Sequence, residues 1–383
     1  MNLAAFLFCT ARCPHEALPL RYPYITKTRK LLHLEQNTDL YHTLIITGIK
    51  EEVEDVKIFT FDEEAASVLP YKAGQYLTFV HLHPQGKIRR SYSITSSPAL
   101  SEPLAIGVKR IENGFFSRQL VDHAKVGDQV LTTGAAGLFT LPDNIQDYRQ
   151  LFFLAAGSGI TPIYGLLKEA LYAHPELHVV LLYSNSSPAR AMFLKPLQKL
   201  EEEFPERLHI EFLFSNSPDL NRARLHKDLL KTFLHNLSKA PHQQQLFYLC
   251  GPANYMRLTS YALRQAGVPA DNIRKEIFNI VKVPPKVQPP DTDAHTVILR
   301  LKGKEYKVDS KYPHTILQSA RGAGVILPYS CETGKCGSCL AKVLKGKVWM
   351  SYNEVLTERD LEKGLTLTCV GYPVGGDVVL EII

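Results

Sequence analysis

Of the seven cysteines in the 383-residue chain, four crowd toward the C-terminus. Cys331, Cys336 and Cys339 stand in C-x4-C-x2-C spacing, and 29 residues separate Cys339 from Cys369. This is the spacing of a [2Fe–2S] site, in which four thiolates hold two irons and two bridging sulfides. Such a cluster carries negative charge, so the loop around it must turn tightly and aim backbone N–H groups at sulfur. Gly334, Gly337 and Ser338 bring little or no side-chain bulk to that loop. The alternatives are a zinc knuckle or free thiols. Zinc ribbons carry two short C-x2-C pairs, and only one is present. Cys9, Cys13 and Cys250 are scattered, and an odd total in a long chain opposes a disulfide framework. A metal site in a reducing compartment, Cys331, Cys336, Cys339 and Cys369, is the better reading.

Two more groups of residues have chemistry in their spacing. The apolar run Leu151–Ala156 enters Gly157-Ser158-Gly159-Ile160-Thr161-Pro162. Thr161 suits an N-cap and Pro162 the first helical position, so backbone N–H groups there would meet a pyrophosphate. A strand-to-helix turn needs glycine in any case, so the pattern by itself decides little. Tyr248-Leu249-Cys250-Gly251-Pro252 closes a later strand, where Cys250 also reads as a small buried hydrophobe. The second group is Arg90-Ser91-Tyr92-Ser93-Ile94, which places a forked cation fit for phosphate near an aromatic face fit for a flat ring. Alternating Arg and Tyr are common on strands, but two glycine-bearing turns accompany them: Asn113-Gly114-Phe115-Phe116-Ser117 and Gly134-Ala135-Ala136-Gly137-Leu138-Phe139.

The elements that must position these residues divide the chain. Residues 1–40 lack sustained periodicity and read as a loosely held extension. From Tyr41 short alternating strands follow at regular spacing, suggesting an antiparallel β-barrel or a sandwich over 41–145. Over 146–281 apolar strands alternate with helical stretches, the signature of a parallel α/β sheet. Four prolines within Pro284–Pro290 make a stiff spacer over 282–293. A last unit, 294–383, starts with alternating strands, a helix over Thr315–Gly322 and the cysteine loop.

Composition excludes several classes. Hydrophobic content of 45% with 21% charged residues supports packed cores and rules out a mainly disordered chain. The net charge of +6 is spread thinly, without a Lys/Arg run, so nucleic acid is not an expected partner. No apolar stretch reaches the ~18 residues of a membrane span. Met1–Phe8 lacks a basic flank and a small-residue cleavage site, so no secretion signal is expected and the compartment reads as cytoplasmic.

Residues Tyr329–Cys339 with Leu367-Thr368-Cys369 resemble the loop and fourth-ligand strand of plant-type ferredoxins, which implies a C-terminal β-grasp domain. This unit holds 12 Lys/Arg against 9 Asp/Glu, 12 − 9 = +3, whereas free-standing ferredoxins of this type are generally acidic. A basic one on a tether implies electrons received from its own chain. Over 41–280 the order of motifs resembles the ferredoxin–NADP reductase superfamily. That resemblance implies FAD, with Arg90 on the flavin phosphate, Tyr92 against the ring, Ser93 near its reactive nitrogen and Gly114, Phe115, Phe116 and Ser117 at the pyrophosphate. It also implies that Gly157, Ser158, Gly159, Thr161 and Pro162 hold the nucleotide pyrophosphate, and that Cys250, Gly251 and Pro252 lie beside the nicotinamide. Ser93 and Cys250 are then the residues at the reacting centre. Glu276-Ile277-Phe278 matches a Glu-x-Phe close seen in related reductases.

The order flavin, nucleotide, ferredoxin resembles the reductase components of multicomponent oxygenases, and Arg89–Ile94 particularly resembles the reductase subunits of phenylacetyl-CoA epoxidases. The implied activity runs from NADPH through FAD to the [2Fe–2S] cluster and on to a terminal oxygenase or another redox protein. A ferredoxin, flavodoxin or desaturase reductase is the alternative, and a redox-sensing module without turnover is a remoter one. NADPH is read over NADH because Ser184–Arg190, after the second α/β strand, contains no acid. Ser186 and Arg190 are the residues to meet a 2′-phosphate, although Arg190 equally suits a solvated helix start.

Overall fold

The computed structural model describes residues 40–83, 86–278 and 288–383. Residues 1–39 of the N-terminal extension and 282–287 of the proline spacer lie outside the described residues.

The first unit holds β1 (His42–Val53), β2 (Val56–Phe61), β3 (Tyr76–His83), β4 (Gly86–Ser93), β5 (Ala105–Lys109) and β6 (Gln129–Ala136), with short helices α1 (Glu63–Ser67) and α2 (Phe115–Arg118). The strands form one antiparallel sheet in the order β4-β3-β6-β1-β2-β5. An antiparallel bridge from Ile94 to Ile106 joins the end of β4 to β5 and closes the sheet into a barrel. Alternation places Leu44, Ile46, Phe59, Phe61, Leu77 and Phe79 inside, all at most 1% exposed.

The second unit is a five-stranded parallel sheet, β11-β10-β7-β8-β9 in order, built from β7 (Gln150–Ala156), β8 (His178–Asn185), β9 (Leu208–Phe214), β10 (Gln245–Cys250) and β11 (Ile273–Glu276). Helices α3 (Ile160–Ala173), α4 (Leu194–Glu203), α5 (Lys227–Leu237) and α6 (Ala253–Gln265) cover it. The unbroken apolar run of β7 follows from burial on both faces. Leu151, Phe153 and Ala155 pack with α3 and α4 on one face, while Phe152 and Leu154 pack with α5 and α6 on the other. One boundary differs from the sequence reading. A 3₁₀ turn spans Gly157–Gly159, and α3 starts at Ile160. Thr161 therefore lies inside the first turn, donates its hydroxyl to Ser158 O at 2.9 Å, and is not the cap. Gly159 takes that place because a Cβ there would sit 2.1 Å from Cys250 O, so only glycine lets the two strand ends approach.

The third unit is a mixed sheet in the order β13-β12-β18-β14-β16, from β12 (His295–Leu301), β13 (Lys304–Ser310), β14 (Leu340–Lys345), β16 (Leu365–Leu367) and β18 (Val378–Ile382). Its edge ribbon pairs β15 (Val348–Met350) with β17 (Gly371–Pro373). Helix α7 (Ile316–Gly322) opens on a Thr315/Gln318 capping box and buries Ile316, Leu317 and Ala320 against the sheet. A short helix, α8 (Glu358–Glu362), opens on a second such box from Thr357. The three clustered cysteines ride on the irregular loop between α7 and β14, and Cys369 follows β16.

Candidate electron-transfer site

Three strand ends meet where the units join. Ser93 ends β4, Cys250 ends β10 and Glu276 ends β11. Parallel pairing sets Cys250 beside Glu276, and Ser93 Oγ donates to Glu276 Oε2 at 3.3 Å. Burial pushes the Glu276 carboxyl up to about 8, with the Ser93 bond opposing it only in part. At neutral pH this group therefore keeps its proton. Burial, with Glu276 adding to it, pushes the Cys250 thiol well up, so it too stays neutral. Tyr92 on β4 lies beside Phe79 and Phe116, with ring centroids 5.9 and 6.0 Å away. Burial pushes its phenol upward.

Ser93 and Glu276 face a cleft of about 70 Å³ lined by Tyr76, Ser91, Ser93, Glu276–Phe278, Ser330, Cys331, Lys335 and Cys336. The cysteine loop thus forms the wall opposite the barrel. Phe116 belongs to the barrel core beneath Tyr92, whereas Phe115 is 46% exposed beside His81. Ser117 Oγ accepts from Ile111 N and donates to Gly114 O, both at 3.1 Å, closing the turn that carries Gly114. Arg90 lies on the exposed side of β4, with its Nη1 donating to Arg89 O at 2.7 Å.

The four cysteines converge. The sulfur of Cys331 lies within hydrogen-bonding reach of Cys336 and Cys369, and that of Cys369 also of Cys339. Thr333 N donates to Cys331 Sγ at 3.4 Å, and the Thr333 hydroxyl is buried with no protein partner. Among the described residues no three His, Cys, Asp or Glu side chains gather on a single ion. Four thiolates brought together in this way fit a binuclear group, in which two irons share them two per metal. All described cysteines are free of disulfides.

The cluster loop is seated on the barrel. Arg89, 7% exposed, lays its guanidinium 4.0 Å from the Tyr329 ring centroid, and Arg321 lies 4.6 Å from the same centroid. Ser91 Oγ and Ser330 Oγ are 2.8 Å apart, and Tyr76 reaches both Cys336 and Ser338. Away from the cleft, Arg274 pairs with Asp360 at 3.0 Å and Arg359 donates to Tyr148 Oη at 2.8 Å, tying α8 to the parallel sheet.

A second cleft, of about 130 Å³, opens between the barrel and the parallel sheet. Gly157, Ser158, Asn185, Ser186, Arg190 and Met192 line one side; Val53, Glu54, Val56 and Lys109 line the other. Arg190 pairs with Glu54 at 2.7 Å, with both side chains largely exposed.

The comparisons agree with this geometry. Residues 43–141 match the oxidoreductase FAD-binding domain, 153–260 the oxidoreductase NAD-binding domain and 299–374 the 2Fe-2S iron-sulfur cluster binding domain. The chain is 32% identical over 349 residues to the ferredoxin reductase component of 3-ketosteroid-9-alpha-monooxygenase from Rhodococcus rhodochrous, covering 88% of this chain and 96% of that protein. It is 30% identical to one of the subunits of the 1,2-phenylacetyl-CoA epoxidase of Escherichia coli K12, covering 89% and 97%. The chain belongs to the family of three-domain oxygenase reductases. Its fold is also that of phthalate dioxygenase reductase, with a TM-score of 0.55 at 24% identity over 89% of this chain and 98% of that one. The reductase binds FAD, NAD(P)H and a [2Fe–2S] cluster, and carries electrons from the nucleotide to an oxygenase partner. Among the described residues no helix is long and apolar enough to cross a membrane.

The motifs single out Ser93, Cys250, the glycine-bearing turns and the four cysteines; the structure sets Ser93 across a cleft from Cys331 and Cys336. They do not include Tyr76, Arg89, Glu54 or Lys109, which are brought in by contacts between domains, up to 262 positions apart in the chain. Glu276 is visible only as part of a short closing motif.

Proposed function

We propose that the cleft shared by β4, β11 and the cysteine loop is where electrons leave flavin for the cluster within one chain. The observation that carries this is the single cavity lined by Ser93, Glu276, Cys331 and Cys336. FAD supplies the conversion between a two-electron donor and a one-electron acceptor. Tyr92, over the Phe79 and Phe116 rings, offers the ring a flat apolar seat, and Arg90 offers its phosphate a forked cation. Ser93 and protonated Glu276 each hold a proton at the reacting edge without placing a charge there. Cys250 keeps a neutral, apolar wall where the nicotinamide would lie, and Gly157–Gly159 with Gly251 and Pro252 bring backbone close to it. Ser117 shapes the flavin-phosphate turn, and Pro162 continues α3 behind the nucleotide turn.

Domain limits of 41–145, 146–281 and 294–383, and a cytoplasmic setting in keeping with the free cysteines, belong to the same reading. The acceptor is the oxygenase component of a multicomponent monooxygenase, as the names of the relatives indicate. The sequence points to NADPH because Ser184–Arg190 holds no acid, but Glu54 brings a carboxylate to Arg190 from the β1–β2 turn. A 2′-phosphate must displace that carboxylate, which favours NADH.

Anaerobic addition of NAD(P)H to the purified chain tests the proposal. Flavin and cluster absorption should bleach together, and at a rate independent of protein concentration. A concentration-dependent cluster phase would show that electrons pass between molecules instead.

A further inference from the structure

The seat of the cluster loop contains a hydrogen-bond arrangement with one solution. Tyr76 Oη lies 2.7 Å from Cys336 O and 2.6 Å from Ser338 Oγ. Both side chains are enclosed, Tyr76 at 4% and Ser338 at 5% exposure. Gly137 admits the ring, since a Cβ there would lie 2.8 Å from Tyr76 Cε1. A phenol has one hydrogen, and a carbonyl oxygen only accepts. The Cys336 contact therefore takes the tyrosine hydrogen, and the Ser338 contact closes only if Ser338 donates to the tyrosine oxygen. Ser338 Oγ also stands 3.6 Å from Cys336 Sγ. Its single hydrogen, engaged by Tyr76, is turned away from that sulfur.

We propose that Tyr76, a residue of the flavin barrel, is a positioning residue that withholds the Ser338 hydrogen bond from the Cys336 sulfur while the ferredoxin unit is docked, and so keeps the cluster's reduction potential low. The proposal rests on Cys336 being a cluster ligand. Reduction adds negative charge to the cluster, and hydrogen bonds to its sulfurs stabilise that charge and raise the potential. Loss of the Tyr76 contact releases Ser338 to the sulfur, so the cluster would hold its electron more tightly away from the barrel than on it.

Anaerobic spectroelectrochemical titration of the intact chain, following the visible absorption of the cluster, tests this in wild type, Tyr76→Phe, Ser338→Ala and the double variant. Iron and acid-labile sulfide are measured first; their absence from the wild type would remove the cluster assignment and this proposal with it. Tyr76→Phe should shift the cluster potential upward. Ser338→Ala alone should leave it unchanged, and the double variant should match Ser338→Ala. The proposal is overturned by no shift or a downward shift in Tyr76→Phe, or by an upward shift that persists in the double variant. Where Tyr76→Phe fails to fold, Ser338→Ala decides alone: a lowered potential would show that Ser338 already serves the sulfur in the docked chain.

Discussion

The two clefts between domains differ in character. The cleft facing the cysteine loop is lined by hydroxyls, the cysteine loop and a carboxyl held protonated by burial, with Lys335 the one cation among its described lining residues. The cleft facing the nucleotide turn carries Glu54, Lys109 and Arg190, mostly exposed. Burying a bare charge costs several kcal/mol, so a place where electrons cross between groups is built from neutral hydrogen bonds. A place that must capture and release a charged nucleotide keeps its charges in water, where each pair is worth little and exchanges readily. Exposed charges of both signs thus mark the cleft read as the site of binding, and neutral hydrogen bonds the cleft read as the site of transfer.

The hardest blow to the neutral cleft is Cys336→Ala. It should abolish the cluster's visible absorption and delivery to a one-electron protein acceptor, while NAD(P)H-driven dye reduction by flavin persists. Loss of flavin as well would mean that the loop is needed to build the barrel side. Next in size, Arg90→Ala removes a charge-assisted phosphate contact worth about 1.5–3 kcal/mol, so flavin should bind roughly tenfold to hundredfold more weakly. Flavin occupancy after dialysis reads this directly, and unchanged occupancy would leave Arg90 an ordinary strand residue.

Glu276 sharpens the claim of neutrality. Its pKa in the fold, about 8, stands above the ordinary carboxyl value of 4.5, so between those values the folded state holds a proton that the unfolded state has lost. Stability contributed by this proton is whole below pH 4.5 and falls as pH rises, by at most about 1.4 kcal/mol per pH unit, levelling above 8. Glu276→Gln should flatten the decline of melting temperature between pH 5 and 8. An identical slope in the variant would show that the carboxyl is ionised in the cleft.

The smallest effect belongs to the charged cleft. An exposed pair such as Glu54–Arg190 contributes about 0.2–1 kcal/mol. Glu54→Gln should free Arg190 and shift the ratio of kcat/KM for NADPH over NADH upward by up to about fivefold. Arg190→Ala should cancel that shift when combined with it. A ratio indifferent to both changes would remove this pair from nucleotide selection.

What is legible in the sequence has short range. The C-x4-C-x2-C spacing defines one loop, the apolar run Leu151–Ala156 defines a central strand, and Arg90–Ser93 lies on consecutive positions of β4. Each is specified by neighbours along the chain, because turn geometry and strand alternation repeat over a few residues. The start of α3 departs from the sequence expectation because Gly159 answers to Cys250, 91 positions away, and not to local capping chemistry. The same holds for the second cleft. Ser184–Arg190 holds no acid, and the carboxylate beside Arg190 is Glu54, which arrives from another domain.

By itself, then, the sequence determined the glycine turns, the order of the three units, the strands that carry Ser93 and Cys250 and the loop of the clustered cysteines. Only the tertiary structure decided that Tyr76 and Arg89 seat the cluster loop, that Glu276 keeps its proton, and that Glu54 engages Arg190. The physical reason is that loop turns and strand alternation are set by local sterics. Desolvation and ion pairing depend on which surfaces meet, and no spacing along the chain records that.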